Sequence, residues 1–270
     1  MKGIRRSGKI DHIFNYRSRY EHLLANKNTT EKFRFEDAKV NEWLGGGVGM
    51  EGTFEFCLLY GSSGAGKSIL AENLCVAAGK QGKKYALLSL ENDPAMTWGR
   101  MLKMYGGDAE SLAKTYMEFM CRHDLKENFT IEDVGDEIDR LFNTEMCELV
   151  VIDHIQELMD LASRTVDRTL NENEKTRKFM QVVQDRLAAN NGTLVLLAHT
   201  NKSKLGGMES VYGSSSLYQK ATKVIEINRD ENGSLSIKCH KSRNSPLKHW
   251  DPLPIKFDEN LIVRTDNGLV

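Results

Sequence analysis

Apolar residues along this chain come in short bursts. The longest are FCLLY (56–60), LVVI (149–152) and TLVLLA (193–198). Each is strand-sized and far below the roughly 20 residues that a membrane helix needs. A short, continuous apolar run suits a strand covered on both faces, as in a parallel sheet. The pattern predicts strands over about Phe54–Tyr60, KKYALLSLE, CELVVIDH, GTLVLLAH and KVIEINR. DENG then turns the last of these into SLSIKCHKSR as a hairpin. Between the strands the period lengthens. Lys67–Lys80, PAMTWGRMLKMYG (opened by Pro94), AESLAKTYMEFMCRH, VGDEIDRLFNTEM and about Glu172–Asn190 read as helices. VNEWLGGGVGMEG reads as a turn, and a polar loop runs from His199 through Ser216. Strands alternating with helices, then strands alone, predict an α/β fold. Its mostly parallel central sheet is flanked by helices and ends in antiparallel strands.

Residues 1–40 break this pattern. They are polar and basic with scattered aromatics, which suits an arm or one or two helices that need a partner surface. The expected division is therefore an arm over 1–40, docking on a neighbouring subunit, and one domain over 41–270.

Composition narrows the class. The chain has 270 residues, 40% hydrophobic and 28% charged, with a formal net charge of −1. That balance excludes a uniformly basic nucleic-acid coat but not a ring with its cations confined to a channel. The five cysteines (57, 75, 121, 147 and 239) show no CxxC spacing and sit mostly in apolar contexts. They read as reduced thiols of a cytoplasmic protein. The N-terminus lacks the apolar core of a signal peptide.

The chemistry concentrates at strand ends. Gly61-Ser62-Ser63-Gly64-Ala65-Gly66-Lys67-Ser68 is G-x-x-x-x-G-K-[ST], set between a strand and the helix that continues through Ile69. Its backbone N–H groups can close around phosphates. Lys67 reaches the β- and γ-phosphates and the Ser68 hydroxyl ligates Mg²⁺. Asp153, ending LVVID, is the expected Mg²⁺ partner. Glu91, ending YALLSLE, can activate the attacking water, or can serve with Asp93 as a helix-capping acid. His199 can sense the γ-phosphate, or can be a satisfied strand-end histidine. Lys202, Lys204 and Lys220 lie in a Gly- and Ser-rich segment suited to a sugar-phosphate backbone. Lys241 and Arg243 share one strand face. They suit either a phosphate clamp supplied in trans or an ordinary basic edge strand.

Together these stretches resemble the RecA-like ATPases, and within them the DnaB-type and RepA-type hexameric DNA helicases, over about residues 38–258. WLGGGVGMEGTFEFCLLYGSSGAGKS resembles the opening shared by RecA, KaiC and DnaB relatives. SLEND, VVIDHIQELM, LLAHTNKS, YGSSSLYQKATKVIEINRD and KCHKSRNSP resemble later helicase segments. His154 stands where an aromatic tyrosine is usual, His199 where DnaB-type chains carry Gln, and Ser245 where Gly is usual. The resemblance implies ATP and Mg²⁺ as cofactors and Glu91 as the catalytic base. It also implies Lys241 and Arg243 as a trans-acting pair. Implied partners are single-stranded DNA, a ring of copies, most often six, and primase or replication-initiation proteins. Two alternatives stay open: a RecA/KaiC-like DNA-dependent ATPase that does not unwind, and a small-molecule kinase.

Overall fold

The computed structural model describes residues 31–50, 53–118, 130–162, 169–201, 210–211, 215–243 and 251–266. A long sheet runs through the molecule. Its first part is parallel, in the order β5 (Tyr116–Glu118), β4 (Tyr85–Ser89), β6 (Leu149–Asp153), β7 (Thr193–Asn201), β3 (Glu55–Gly61) and β9 (Lys223–Arg229). Antiparallel β10 (Leu235–Ser242), β11 (Leu253–Phe257) and β12 (Val263–Thr265) extend it beyond β9. This is the expected α/β architecture with antiparallel strands at its end.

The central strands β3 and β6 are almost wholly apolar because both of their faces are buried. Along β3, Cys57 and Leu59 enter one core while Phe56, Leu58 and Tyr60 enter the other. On β6, Leu149 and Val151 face the first core and Val150 and Ile152 the second. This is the period of two expected of a strand. The first core is roofed by α1 (Ala38–Trp43), α2 (Lys67–Lys80), α3 (Pro94–Met104) and α4 (Ala109–Thr115). The second lies under α5 (Ile131–Asn143), α6 (Ile155–Ala162), α7 (Glu172–Asn190) and α8 (Ser215–Lys220). The helix starts follow local chemistry. Asp93 caps α3 ahead of Pro94, and Thr130 with Asp133 and Asn171 with Glu174 form capping boxes on α5 and α7.

Several expectations are corrected. Residues 31–40 are built into the body rather than standing apart as an arm. β1 (Glu31–Phe33) pairs with β2 (Val48–Met50), and Phe33, Phe35 and Val40 are buried. Their aromatic and aliphatic side chains find a partner surface within the same chain. Residues 1–30 lie outside the described residues. The VNEWLGGGVGMEG turn holds the end of α1 and all of β2; α1 starts just ahead of it, where Asp37 caps the helix and accepts from the backbone of Lys39 and Val40. AESLAKTYMEFMCRH is not one helix: it switches at Tyr116 into β5, which pairs with β4. The strand ending in His199 continues to Asn201 and meets a short return, β8 (Ser210–Val211). The polar loop gives way to α8 from Ser215. Cys57, Cys75, Cys147 and Cys239 are buried free thiols, and Cys121 lies outside the described residues. Among the described residues no helix is long and apolar enough to cross a membrane.

Candidate functional site

The parallel strands end along one edge of the sheet, and the chemistry gathers there. Gly61 and His199 are opposite one another in register, as are Ser89 and Asp153. Residues 62–66 carry the chain from β3 into α2. Glycine is required at two points of this turn. A Cβ on Gly61 would sit 2.1 Å from the Ile227 carbonyl oxygen. Gly66 has φ 96° and its Cβ would meet the Phe257 ring at 2.9 Å. Gly66 is the N-cap of α2 and no side chain caps the helix. The first-turn N–H groups of α2 are thereby left for an anion, at the positive end of the helix dipole. Ser63 and Gly64 are exposed on the turn, Ser62, Ser68 and Ile69 are half-buried, and Ala65 is buried beneath it.

Lys67 is buried and folds back over the loop. Its ammonium donates to the Gly61 carbonyl at 3.1 Å and the Ser62 carbonyl at 2.8 Å, and lies 3.1 Å from His199 Nδ1. Burial lowers the Lys67 pKa, and the charges of Asp153 and Glu91 hold it up. Asp153 is only 3% exposed. Its Oδ2 accepts from Asn92 Nδ2 at 3.4 Å, while Oδ1 has no hydrogen-bond partner among the described residues. Burial raises the Asp153 pKa, opposed by the neighbouring Ser68 hydroxyl and by His154 and Lys67. A buried carboxylate oxygen without a partner, next to a serine hydroxyl, is an oxygen-rich position that suits Mg²⁺. The residues present thus fit both cofactors expected from the sequence.

Glu91 stands just beyond β4 rather than at its end, since the strand stops at Ser89. The cap of α3 is Asp93, which accepts from the Ala95 N–H, so Glu91 is not needed for that task. Two histidines face its carboxylate. His154 Nε2 lies 3.4 Å and His199 Nε2 4.0 Å from Glu91 Oε2. The two rings meet edge-on, with centroids 4.4 Å apart. An ammonium can only donate, so His199 Nδ1 accepts from Lys67 and its proton sits on Nε2, toward Glu91. Burial, then the Lys67 and His154 charges, push the His199 pKa down to about 4.

Comparison with known proteins now bears on this geometry. The AAA domain family matches residues 22–204. The chain belongs to that family. A KaiC-like protein from the hyperthermophilic archaeon Pyrococcus horikoshii OT3 shares the fold, with a TM-score of 0.62 and 19% identity. The match covers 86% of this chain and 99% of that one. No curated protein matches the chain. This AAA domain is a RecA-like P-loop ATPase by fold.

Among the described residues, Lys220, Lys241 and Arg243, which lie beyond the stretch matched to the AAA domain, make their contacts on α7 and α8. Lys241 donates to the carbonyls of Tyr218 (2.9 Å) and Gln219 (2.7 Å), and Arg243 to Gln219 (2.9 Å). Both therefore cover the C-terminal carbonyls of α8, as cations do at a helix end. Arg243 lies just past β10 and is exposed. Lys220 is within α8 and half-buried, with its ammonium 3.3 Å from Gln184 Oε1 on α7. Lys202 and Lys204 lie outside the described residues. The patterning assigned no role to three contributors. These are Asn92 on Asp153, His154 against Glu91, and Arg100, which grips the buried Glu72 carboxylate through Nε at 2.8 and 3.1 Å. Only the neighbouring SLEND and VVIDH stretches hinted at the first two.

Proposed function

We propose that the protein hydrolyses ATP at the interface between copies of itself and uses the cycle to move on single-stranded DNA, as ring-forming helicases do. The observation that carries the hydrolytic part is the convergence of Lys67, Ser68, Asp153 and Glu91 on one sheet edge. The turn at 61–69 wraps the phosphates with backbone N–H groups, and Lys67 exchanges its loop carbonyls for the β- and γ-phosphates. Ser68 and Asp153 would hold Mg²⁺, which neutralises charge on the phosphate oxygens when bound. Glu91 orients the attacking water and accepts its proton.

Arg243 and Lys241 are the groups we assign to a neighbour's γ-phosphate. Their hold on the Gln219 carbonyl supports this reading, because it keeps both cations on one mount at the end of β10. His199 follows the phosphate through Lys67 and passes its state along β7 to the 202–209 segment, with Lys202 and Lys204. That segment and Lys220 are proposed to grip the strand in a channel, most simply that of a hexamer. Primase or initiation factors are candidate partners of such a ring.

A second reading is favoured by the fold shared with the KaiC-like protein: a DNA-dependent ATPase that remodels or loads without unwinding. Steady-state ATPase assays with and without single-stranded DNA, beside a strand-displacement assay, separate the readings. Stimulation together with displacement supports the helicase, and stimulation alone supports the second reading. Hydrolysis indifferent to DNA removes the DNA reading. Absent hydrolysis at any protein concentration removes the ATPase reading.

A further inference from the structure

We propose that Glu91, His154 and His199 form a binding site for a late first-row divalent ion, with Zn²⁺ the biological candidate. It is distinct from the magnesium position and kept closed by Lys67. One carboxylate oxygen and two imidazole nitrogens, on three different segments, lie within 4.8 Å of one another. The 3.4 Å between His154 Nε2 and Glu91 Oε2 matches the edge of a tetrahedron whose metal–ligand bonds are about 2.0–2.1 Å. The 4.0 Å from His199 Nε2 needs a small inward shift, and Glu91, on an exposed turn, can supply it. The two rings meet edge-on at 78° instead of stacking, and each presents its Nε2 to the same Glu91 oxygen. Two imidazoles and one carboxylate suit Zn²⁺, Co²⁺ or Ni²⁺, whereas Ser68 and Asp153 offer only oxygen, as Mg²⁺ requires.

Proton placement supplies the lock. To bind through Nε2, each imidazole has to carry its proton on Nδ1. At His154 the competing donor is the Glu157 N–H at 3.5 Å, a long contact from a first helical turn that water can satisfy instead. At His199 the competitor is the Lys67 ammonium at 3.1 Å, which holds the Nδ1 lone pair and leaves the proton on Nε2. The ion and the Lys67–His199 contact therefore exclude each other. Whatever draws Lys67 away opens the site. An ion seated there would also occupy the Glu91 carboxylate, which makes it a brake on water activation. The site itself follows from the side-chain geometry and does not rest on the hydrolytic reading.

The test uses the full chain, without nucleotide or Mg²⁺, and Co²⁺ as the probe, read by its visible d–d absorption. Lys67→Met removes the competing donor while keeping an unbranched side chain. It is expected to bind Co²⁺ at least about tenfold more tightly than the unmodified chain, with the intense band of a low-coordinate nitrogen site and displacement by Zn²⁺. Adding His199→Asn or His154→Asn to Lys67→Met is expected to weaken binding about 10- to 100-fold. Lys67→Gln serves as a second opener, and circular dichroism confirms that each variant is folded. Equal affinity of the unmodified chain and both Lys67 variants overturns the lock. A band that survives loss of either histidine, or no intense band in any folded variant, overturns the site. Because no nucleotide is present, a failure of ATP hydrolysis leaves this result untouched.

Discussion

Lys67 and His199, 132 residues apart in the chain, meet with the lysine ammonium 3.1 Å from the imidazole Nδ1. The contact exists because β3 and β7 are parallel neighbours in register, so that Gly61 faces His199 and the loop after Gly61 curls back over it. It ties the group expected to seize the phosphates to a residue that faces the candidate water activator, Glu91. One side chain, His199, thus stands between the phosphate loop and the candidate water activator.

Exchanging Glu91 for glutamine separates chemistry from binding. Glu91 is half-exposed and, among the described residues, its carboxylate faces His154 and His199, so Glu91→Gln is expected to keep ATP affinity within a few-fold. Turnover is expected to fall by about 10²- to 10⁴-fold, the usual worth of a positioned base. A fluorescent ATP analogue titration reads the first quantity and single-turnover phosphate release the second. If affinity collapses with the rate, Glu91 supports the loop and activates nothing.

The titration of His199 gives stability a slope. Its pKa is 6.5 in an unfolded chain and about 4 in the fold. Between those values the unfolded state binds the extra proton, so stability is full above pH 6.5 and declines as pH falls toward 4. Asp153, whose pKa is raised, works with the opposite sign, so the comparison has to be made between variants. His199→Asn is expected to flatten the decline in melting temperature across this window relative to the unmodified chain. Parallel curves for the two proteins would remove His199 as the source.

Arg100 and Glu72 are expected to matter for stability rather than for DNA. Glu72 is 2% exposed and receives both Nε and Nη2 of Arg100. Burial raises its pKa even with Arg100 present. Arg100→Ala strands that carboxylate and is expected to cost about 3 kcal/mol. For a chain of this size that is a melting-point loss of about 5 °C. Arg100→Met combined with Glu72→Leu removes both charges and is expected to recover most of it. Thermal melts near neutral pH check this, and no recovery in the double variant would place the loss elsewhere.

Much of this arrangement was legible in the residues because strand ends and apolar runs are local signals. The sheet core, the turn at 61–68 and the position of Asp153 follow from continuous hydrophobicity, glycine spacing and one strand-terminal carboxylate. What stayed hidden depends on long-range pairing. Tyr116 leaves a helical pattern because β4 offers it a partner edge. Phe33 and Phe35 look like exposed aromatics until α2 and β2 cover them. The two histidines beside Glu91 come from different strand ends, so no spacing in the sequence could have joined them. Their meeting depends on the strand order β4–β6–β7.

The trans arrangement of Arg243 is the reading most open to a decisive experiment. Among the described residues, the Arg243 side chain donates to the Gln219 carbonyl of α8, far in sequence from the phosphate loop, and the residue is exposed. If it completes a neighbour's site, Arg243→Ala and Lys67→Ala each inactivate a uniform assembly, but in different halves of the interface. Mixing the two proteins creates some interfaces that pair an intact phosphate loop with an intact arginine. ATPase activity is expected to return as the mixing ratio approaches one to one and to fade at either extreme. Arg243→Lys is expected to restore little, because an ammonium lacks the forked geometry that grips two phosphate oxygens at once. Flat, background activity at every ratio, with co-assembly verified by mass, would mean that Arg243 serves α8 alone and that the interface completes its site by another route.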